Sequence, residues 1–305
     1  MDNTVLNNPR KRRILNKGIR GYLTSYLFLV PSFLFVFTFM YYPILTALIH
    51  SFTRWNLAST QWIGLDNFIR IFSDQMIITS IINQIIFTIT DIVKHIIFPL
   101  IAAELMYLLP GSRSKYIFRT GFILPMLVPL VVTFLLWSNI YNPNFGLLNA
   151  SLNALRLSDL TRAWLGDAST AMWSVIMVGF PFISGLYFLL LYTAIGNFNQ
   201  EVIEAARIDG ATGWKVFSKI HIPLLIPMFK VIIILVVITS LQDFVKIIIL
   251  TGGGPGTATI IPAFTMYTVA FQSSEYGFAS AIGTCLFIMI ITLTMLNLKF
   301  MKTDY

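Results

Sequence analysis

Apolar residues run through this chain in long stretches separated by short polar segments, and the lengths of the runs set the architecture. A bilayer core is about 30 Å thick and takes about 20 mostly apolar residues in a helix, because lipid offers the backbone no hydrogen-bond partner. Six stretches meet that length: about Tyr22–Ile49, Ile77–Leu109, Ile117–Tyr141, Ala171–Ile195, Leu224–Leu250 and Phe278–Leu298. The first carries no charge between Arg20 and Arg54. It is far longer than the roughly 7–15 apolar residues of a signal peptide, and no small-residue cleavage pattern follows, so it reads as an uncleaved anchor. The pattern predicts an all-α integral membrane protein with six transmembrane helices.

Composition agrees. Only 11% of the 305 residues are charged and 56% are hydrophobic, whereas soluble domains carry roughly 25% charged residues; mean hydropathy is +0.77. A net charge of +8 could point to nucleic acid or to an acidic surface, so the placement of the cations decides. With the N-terminus inside, the inner segments gather Arg10, Lys11, Arg12, Arg13, Lys17 and Arg20, then Arg113, Lys115 and Arg119, then Arg207, Lys215 and Lys219, then Lys299 and Lys302. The outer loops hold only Arg54, Arg70, Arg156 and Arg162. Cationic loops stay on the cytoplasmic side, so both termini are expected there. The positive charge reports topology and contact with anionic lipid, with no nucleic acid as a partner. The single cysteine, Cys285, excludes an internal disulfide framework.

One connecting segment is unlike an ordinary loop. Between the fourth and fifth spans, residues 196–223, Asn197 or Asn199 can cap a helix that Gln200 and Glu201 begin. The helix should stop at Gly210, a residue suited to a left-handed turn. Thr212 can cap a second helix carrying Trp214, Phe217 and Ile220, expected to end before Pro223. The small residues Ala205 and Ala206 allow close approach to a partner's groove, and Glu204 and Asp209 supply charges that could fix its register.

Here the sequence resembles a known family. Glu204-Ala205-Ala206, Gly210, Ile220 and Pro223 match the EAA loop of binding-protein-dependent ABC importer permeases, with Ile222 in place of the family's Leu. The family's Ile-Pro lead-in is replaced by Ile195-Gly196-Asn197-Phe198-Asn199. Tyr42-Pro43, Gly64-Leu65-Asp66-Asn67-Phe68, Gly146-Leu147-Leu148-Asn149, Leu250-Thr251-Gly252-Gly253-Gly254-Pro255 and Tyr276-Gly277 are similar to marks of the carbohydrate-type branch, which includes maltose and glycerol-phosphate permeases.

The resemblance covers about residues 22–300 and implies the ABC importer permease fold. A basic segment 1–21 precedes that domain and a tail 301–305 follows it. It also implies that the 196–223 loop couples to an ATPase through Glu204, Ala205, Ala206, Asp209, Gly210, Ile220 and Pro223. The implied partners are a second homologous permease, making a heterodimer, two ATPase subunits that hold ATP and Mg, an extracellular solute-binding protein, and a sugar or oligosaccharide. The implied location is the bacterial cell membrane. The chain itself is expected to be no enzyme and to hold no cofactor or metal. Its glycine run 252–254 lacks the Gly-Lys-Ser/Thr ending of a phosphate-cradling loop and reads as a tight turn.

Polar groups inside spans are costly in lipid and so are candidates for function. Ser240, Gln242 and Asp243 in span five are candidate pathway residues, or else hydrogen-bond the partner permease. Trp137, Phe180, Phe182 and Tyr187 are candidate aromatic walls for a sugar. Asp91 and Lys94, three apart on one helical face, are expected to neutralise each other. Lys246 is expected to snorkel to the outer water, or Lys246 or Lys94 to help an acidic sugar through. A non-sugar cargo for the same importer class and a secondary transporter are the alternative readings.

Overall fold

The computed structural model describes residues 26–300. The start of the first predicted span, the basic cluster from Arg10 to Arg20 and the tail with Lys302 lie outside the described residues.

The protein is mostly helical. Helix α1, Tyr26–His50, is the first apolar run. It contains a π-helical turn, Phe37–Tyr41, just ahead of Pro43. Proline has no N–H to give the carbonyl four residues back, and a wide turn at that point absorbs the missing bond. A short antiparallel hairpin follows, β1 Thr53–Trp55 with β2 Thr60–Trp62, then helix α2, Asp66–Ser73. Next comes α3, Gln75–Leu108, opened by the Asp74 carboxylate, which accepts from the N–H groups of Met76 and Ile77. It continues as one helix through Pro99.

Three of the expected straight spans are broken. The third is α4, Ser112–Ile123, a 3-10 turn, Leu124–Leu127, and α5, Leu130–Ile140, the two arms meeting at 92°. Val128 is extended because it precedes Pro129, a conformation that proline imposes on its neighbour. After α6, Leu147–Ala154, the fourth span divides into α7, Ala171–Met177, and α8, Gly185–Gly196. Gly179, at φ +87°, and Pro181 lie in the gap. Helix α9 is Gln200–Ile208. Helix α10 runs Trp214–Gln242, and Asp243 and Phe244 part it from α11, Val245–Leu250. Hydropathy predicts no element in the following stretch, yet it forms α12, Pro262–Phe271, too short to cross a bilayer. The chain closes with α13, Tyr276–Phe300.

Among the described residues, four helices are long and apolar enough to cross a membrane, five if the bent pair is one span. Helix α3 contributes to all three apolar clusters. Ile77 packs with Ile71, Val237 and Phe278; Phe87 with Phe134, Ile247 and Ile261; Leu100 and Met106 with Phe188, Leu191 and Leu225. It is the spine of the fold. By contrast, every residue of α1 from Tyr26 to Leu45 is exposed.

Candidate functional site

Where a helix stops, its last four carbonyls lose their intrahelical partners and must find others. At the end of α7 all four do. Ser174 O accepts from the Tyr141 hydroxyl at 2.9 Å, Val175 O from the Val178 N–H and Met177 O from the Phe180 N–H. Ile176 O takes the Lys94 ammonium at 2.9 Å. The break in span five is served from the same spine: the Gln84 amide donates to Ser240 O at 3.0 Å. Asn83, one residue away, donates to Thr257 O and Ile260 O and so holds the chain beyond the glycine turn. That turn is closed by Thr259, whose hydroxyl donates to Gly254 O, and a Cβ at Gly253 would meet the Phe264 ring.

Between the two breaks lies a charged cluster. Lys94 Nζ is 2.8 Å from Asp91 Oδ1, the pairing their spacing predicts, and Lys246 Nζ is 3.4 Å from Oδ2. The Ser240 hydroxyl donates to the same Oδ2 at 2.9 Å. The side chains are only 9% (Asp91) and 12% (both lysines) exposed. Lys246 therefore does not snorkel: with α10 ended at Gln242, α11 restarts with Lys246 turned inward, over the Phe87 ring. Ser240 is buried in this network. Gln242 is exposed and Asp243 half-buried, side by side at the break.

The aromatic candidates separate. Trp137 and Phe180 line a cavity of about 510 Å³ with Trp164, Trp173 and Met177. Tyr187 is buried between helices, its ring 4.9 Å from that of His95, and Phe182 packs edge-on against Phe98 and Phe180. The hydropathy pattern singles out neither Asn83 nor Gln84. The signal for Gln84 is the recurrence of polar positions Gln84, Thr88 and Asp91 at four and three residues, one face of a helix.

The loop between spans four and five is built as follows. The Asn199 side chain accepts from the Glu201 N–H and starts α9. At the other end, the Ala211 N–H donates to Ala206 O and the Gly210 N–H to Arg207 O, with Gly210 at φ +80°. These two bonds form a Schellman stop, which needs a left-handed residue at that point. Ile203 is fully buried and pins α9 to the protein, while Glu204, Ala205, Asp209 and Gly210 are exposed and Ala206 is half-buried. Beyond the turn two expectations fail. Gly213, with no side-chain bond, takes the cap position instead of Thr212, and α10 does not end before Pro223. A second π-helical turn, Phe217–His221, containing half-buried Ile220, carries the helix across that proline as the first does at Pro43.

Backbone that leaves the helix at membrane depth is excluded by lipid unless it is covered by protein or lines a route through it. The class is a multi-pass membrane transport component. The profile of the binding-protein-dependent transport system inner membrane component family matches residues 95–301, and the chain belongs to that family. It is 37% identical to the probable ABC transporter permease protein YurN of Bacillus subtilis, over 92% of this chain and 97% of that one. It is 28% identical to MsmF of Streptococcus mutans, a multiple sugar-binding transport system permease protein, over 95% and 98% of the two chains. A solved bacterial alginate ABC transporter, in complex with alginate pentasaccharide-bound periplasmic protein, shares the fold at TM-score 0.83 and 21% identity, over 95% of this chain and 99% of that one.

Proposed function

We propose that this chain is one permease half of an ATP-driven importer of a sugar or oligosaccharide in a bacterial cell membrane. It crosses the bilayer six times with both termini inside and pairs with a second homologous permease. A solute-binding protein delivers cargo outside, and two separate ATPase subunits hold ATP and Mg. Family membership leaves no place for the secondary-transporter reading. The observation that carries the coupling role is the outward face of α9. A helix pinned by one buried residue, Ile203, and stopped by a tight turn offers Glu204 and Ala205 to something outside the chain. Closure of the ATPases on ATP would carry α9 with them and shift the population between inward- and outward-facing forms.

Sugar cargo rests on the relatives' names and on the aromatic cavity at Trp137 and Phe180. Sugar rings offer apolar faces to such walls and hydroxyls to amides and carboxylates such as Gln242 and Asp243. The test is thermal-shift screening of the binding protein that partners this importer, against neutral and uronate oligosaccharides, amino acids, peptides and polyol phosphates. Saccharides alone should raise its melting temperature, and cells lacking this chain should fail to take up the hits. A peptide or amino-acid ligand would overturn the cargo assignment.

A further inference from the structure

The loop and the spine meet at one polar bond. His221 Nδ1 lies 2.7 Å from Glu104 Oε1, although 117 residues separate them. The His221 side chain is 2% exposed and that of Glu104 is 12% exposed. Glu104 stands in the last turns of α3, and His221 ends the π-helical turn at the root of α10. Two further rings close on the imidazole. Tyr107, also of α3, meets it edge-on at 5.3 Å, and Phe198, from the linker that leads into α9, lies at 5.3 Å. Three segments of chain thus converge on a single side chain.

Packing around this bond is incomplete. A cavity of about 360 Å³ opens beside it, lined by Glu104, Tyr107, Arg207, Trp214, Phe217 and His221. The other ring nitrogen, Nε2, is buried with no hydrogen-bond partner. Cores built only for stability rarely leave such an atom unpaired, because its desolvation is not repaid. A polar tether flanked by unfilled space, at a turn wider than an α-helix, has the properties of a pivot. It holds two elements together and leaves them room to rotate.

We infer that the His221–Glu104 bond is the joint through which movement of the α9 loop reaches α3, His221 acting as a positioning residue. The inference rests on the coupling role proposed above and names the element that receives the motion. Along α3, Glu104 and Asp91 are thirteen residues apart, about 20 Å at the helical rise. A push on α9 moves Phe198 and the root of α10 together. Glu104 passes the displacement to α3, and Asp91, Lys94 and Gln84 on that helix hold the breaks of spans four and five.

The test uses the assembled importer, purified through a tag on this chain in a Cys285→Ser background. Spin labels go on two pairs of exposed positions. Leu108 and Glu201 report the loop against the end of α3; Phe145 and Gln272 report the opposite end of the protein. A non-hydrolysable ATP analogue should shift both distances in the parent protein. In His221→Phe, which keeps an aromatic ring but removes the bond, the loop distance should still shift and the far distance should not. His221→Asn, whose amide can donate from the place of Nδ1, should restore most of the far shift. Glu104→Leu breaks the same bond from α3 and decides the matter if His221→Phe fails to assemble. A far shift in either bond-breaking variant equal to that of the parent overturns the joint. If instead no ATPase co-purifies with the parent, or its loop distance ignores the nucleotide, the coupling role itself fails.

Discussion

Lys246 reaches Asp91, Nζ to Oδ2 at 3.4 Å, across 155 residues of chain. The contact ties the short helix beyond the span-five break to the spine, and Lys94, on the other carboxylate oxygen, ties the spine to the end of α7. One carboxylate thus organises both interruptions. It does so inside the bundle, where charges are costly unless paired and hydrogen-bonded.

Asp91→Asn would leave two ammonium groups nearly buried without their counter-charge. Removing one partner of a buried ion pair costs about 3–5 kcal/mol, whereas replacing the whole group by apolar residues is often neutral. The asparagine variant should melt well below the parent in detergent, and the triple variant Asp91→Leu, Lys94→Met, Lys246→Met should recover most of the loss. An asparagine variant as stable as the parent would show that the cluster does not hold the breaks.

Hydropathy locates the helices that are continuous. The first, second and last apolar runs coincide with α1, α3 and α13 to within a few residues where they are described. It passes over the interruptions because a window average cannot see where a backbone leaves the helix, only how apolar the side chains are. Local signals exist at Pro125 with Pro129 and at Gly179 with Pro181. The break at Asp243–Phe244 has no glycine or proline; a carbonyl there is satisfied by Gln84, a tertiary contact that no local pattern reports. The same limit applies to Lys246, whose partner lies on another helix. Pro223 misleads in the opposite direction: proline stops an α-helix, but a π-helical turn in front of it lets the helix continue. Asn199 and Gly210 are readable as start and stop because caps act on neighbouring backbone.

Gly277 sits where α13 meets the hairpin, and a Cβ there would fall inside contact distance of Thr53 O and Trp55 N, both backbone atoms. Asn67, which donates to Ser51 O and Thr53 O at 2.9 Å, holds the hairpin to α2, and the Arg70–Glu275 ion pair joins α2 to the turn before α13. Gly277→Ala should therefore push the hairpin off α13 and cost about 1–3 kcal/mol. Hydrogen exchange should show residues 53–62 less protected than in the parent. Unchanged protection would mean the close approach is not maintained.

Gly210 is a different case, since nothing lies within 4 Å of an added Cβ and only the backbone angle objects. A left-handed φ costs a non-glycine residue roughly 1–2 kcal/mol, with asparagine the least affected. Gly210→Val should therefore reshape the end of α9 and abolish uptake while the protein still reaches the membrane, and Gly210→Asn should transport close to the parent level. Uptake of the cargo in cells carrying each variant decides it. Normal uptake by the valine variant would remove the Schellman stop from the coupling account.

Ala206 is half-buried, and Ile208 on the same short helix is 87% exposed, an apolar side chain beside the outward-facing Glu204 and Ala205. With Cys285→Ser, a cysteine at 206 or 208 is the only thiol in the chain. A maleimide–benzophenone probe on either should capture an ATPase subunit on illumination, and the same probe on Gln272→Cys should not. A membrane-impermeant maleimide applied to intact cells should label position 272 and spare 206. Labelling of 206 from outside would invert the topology and separate α9 from any cytoplasmic motor. If the inner location holds but no ATPase is captured from 206 or 208, the exposed face of α9 serves some other partner.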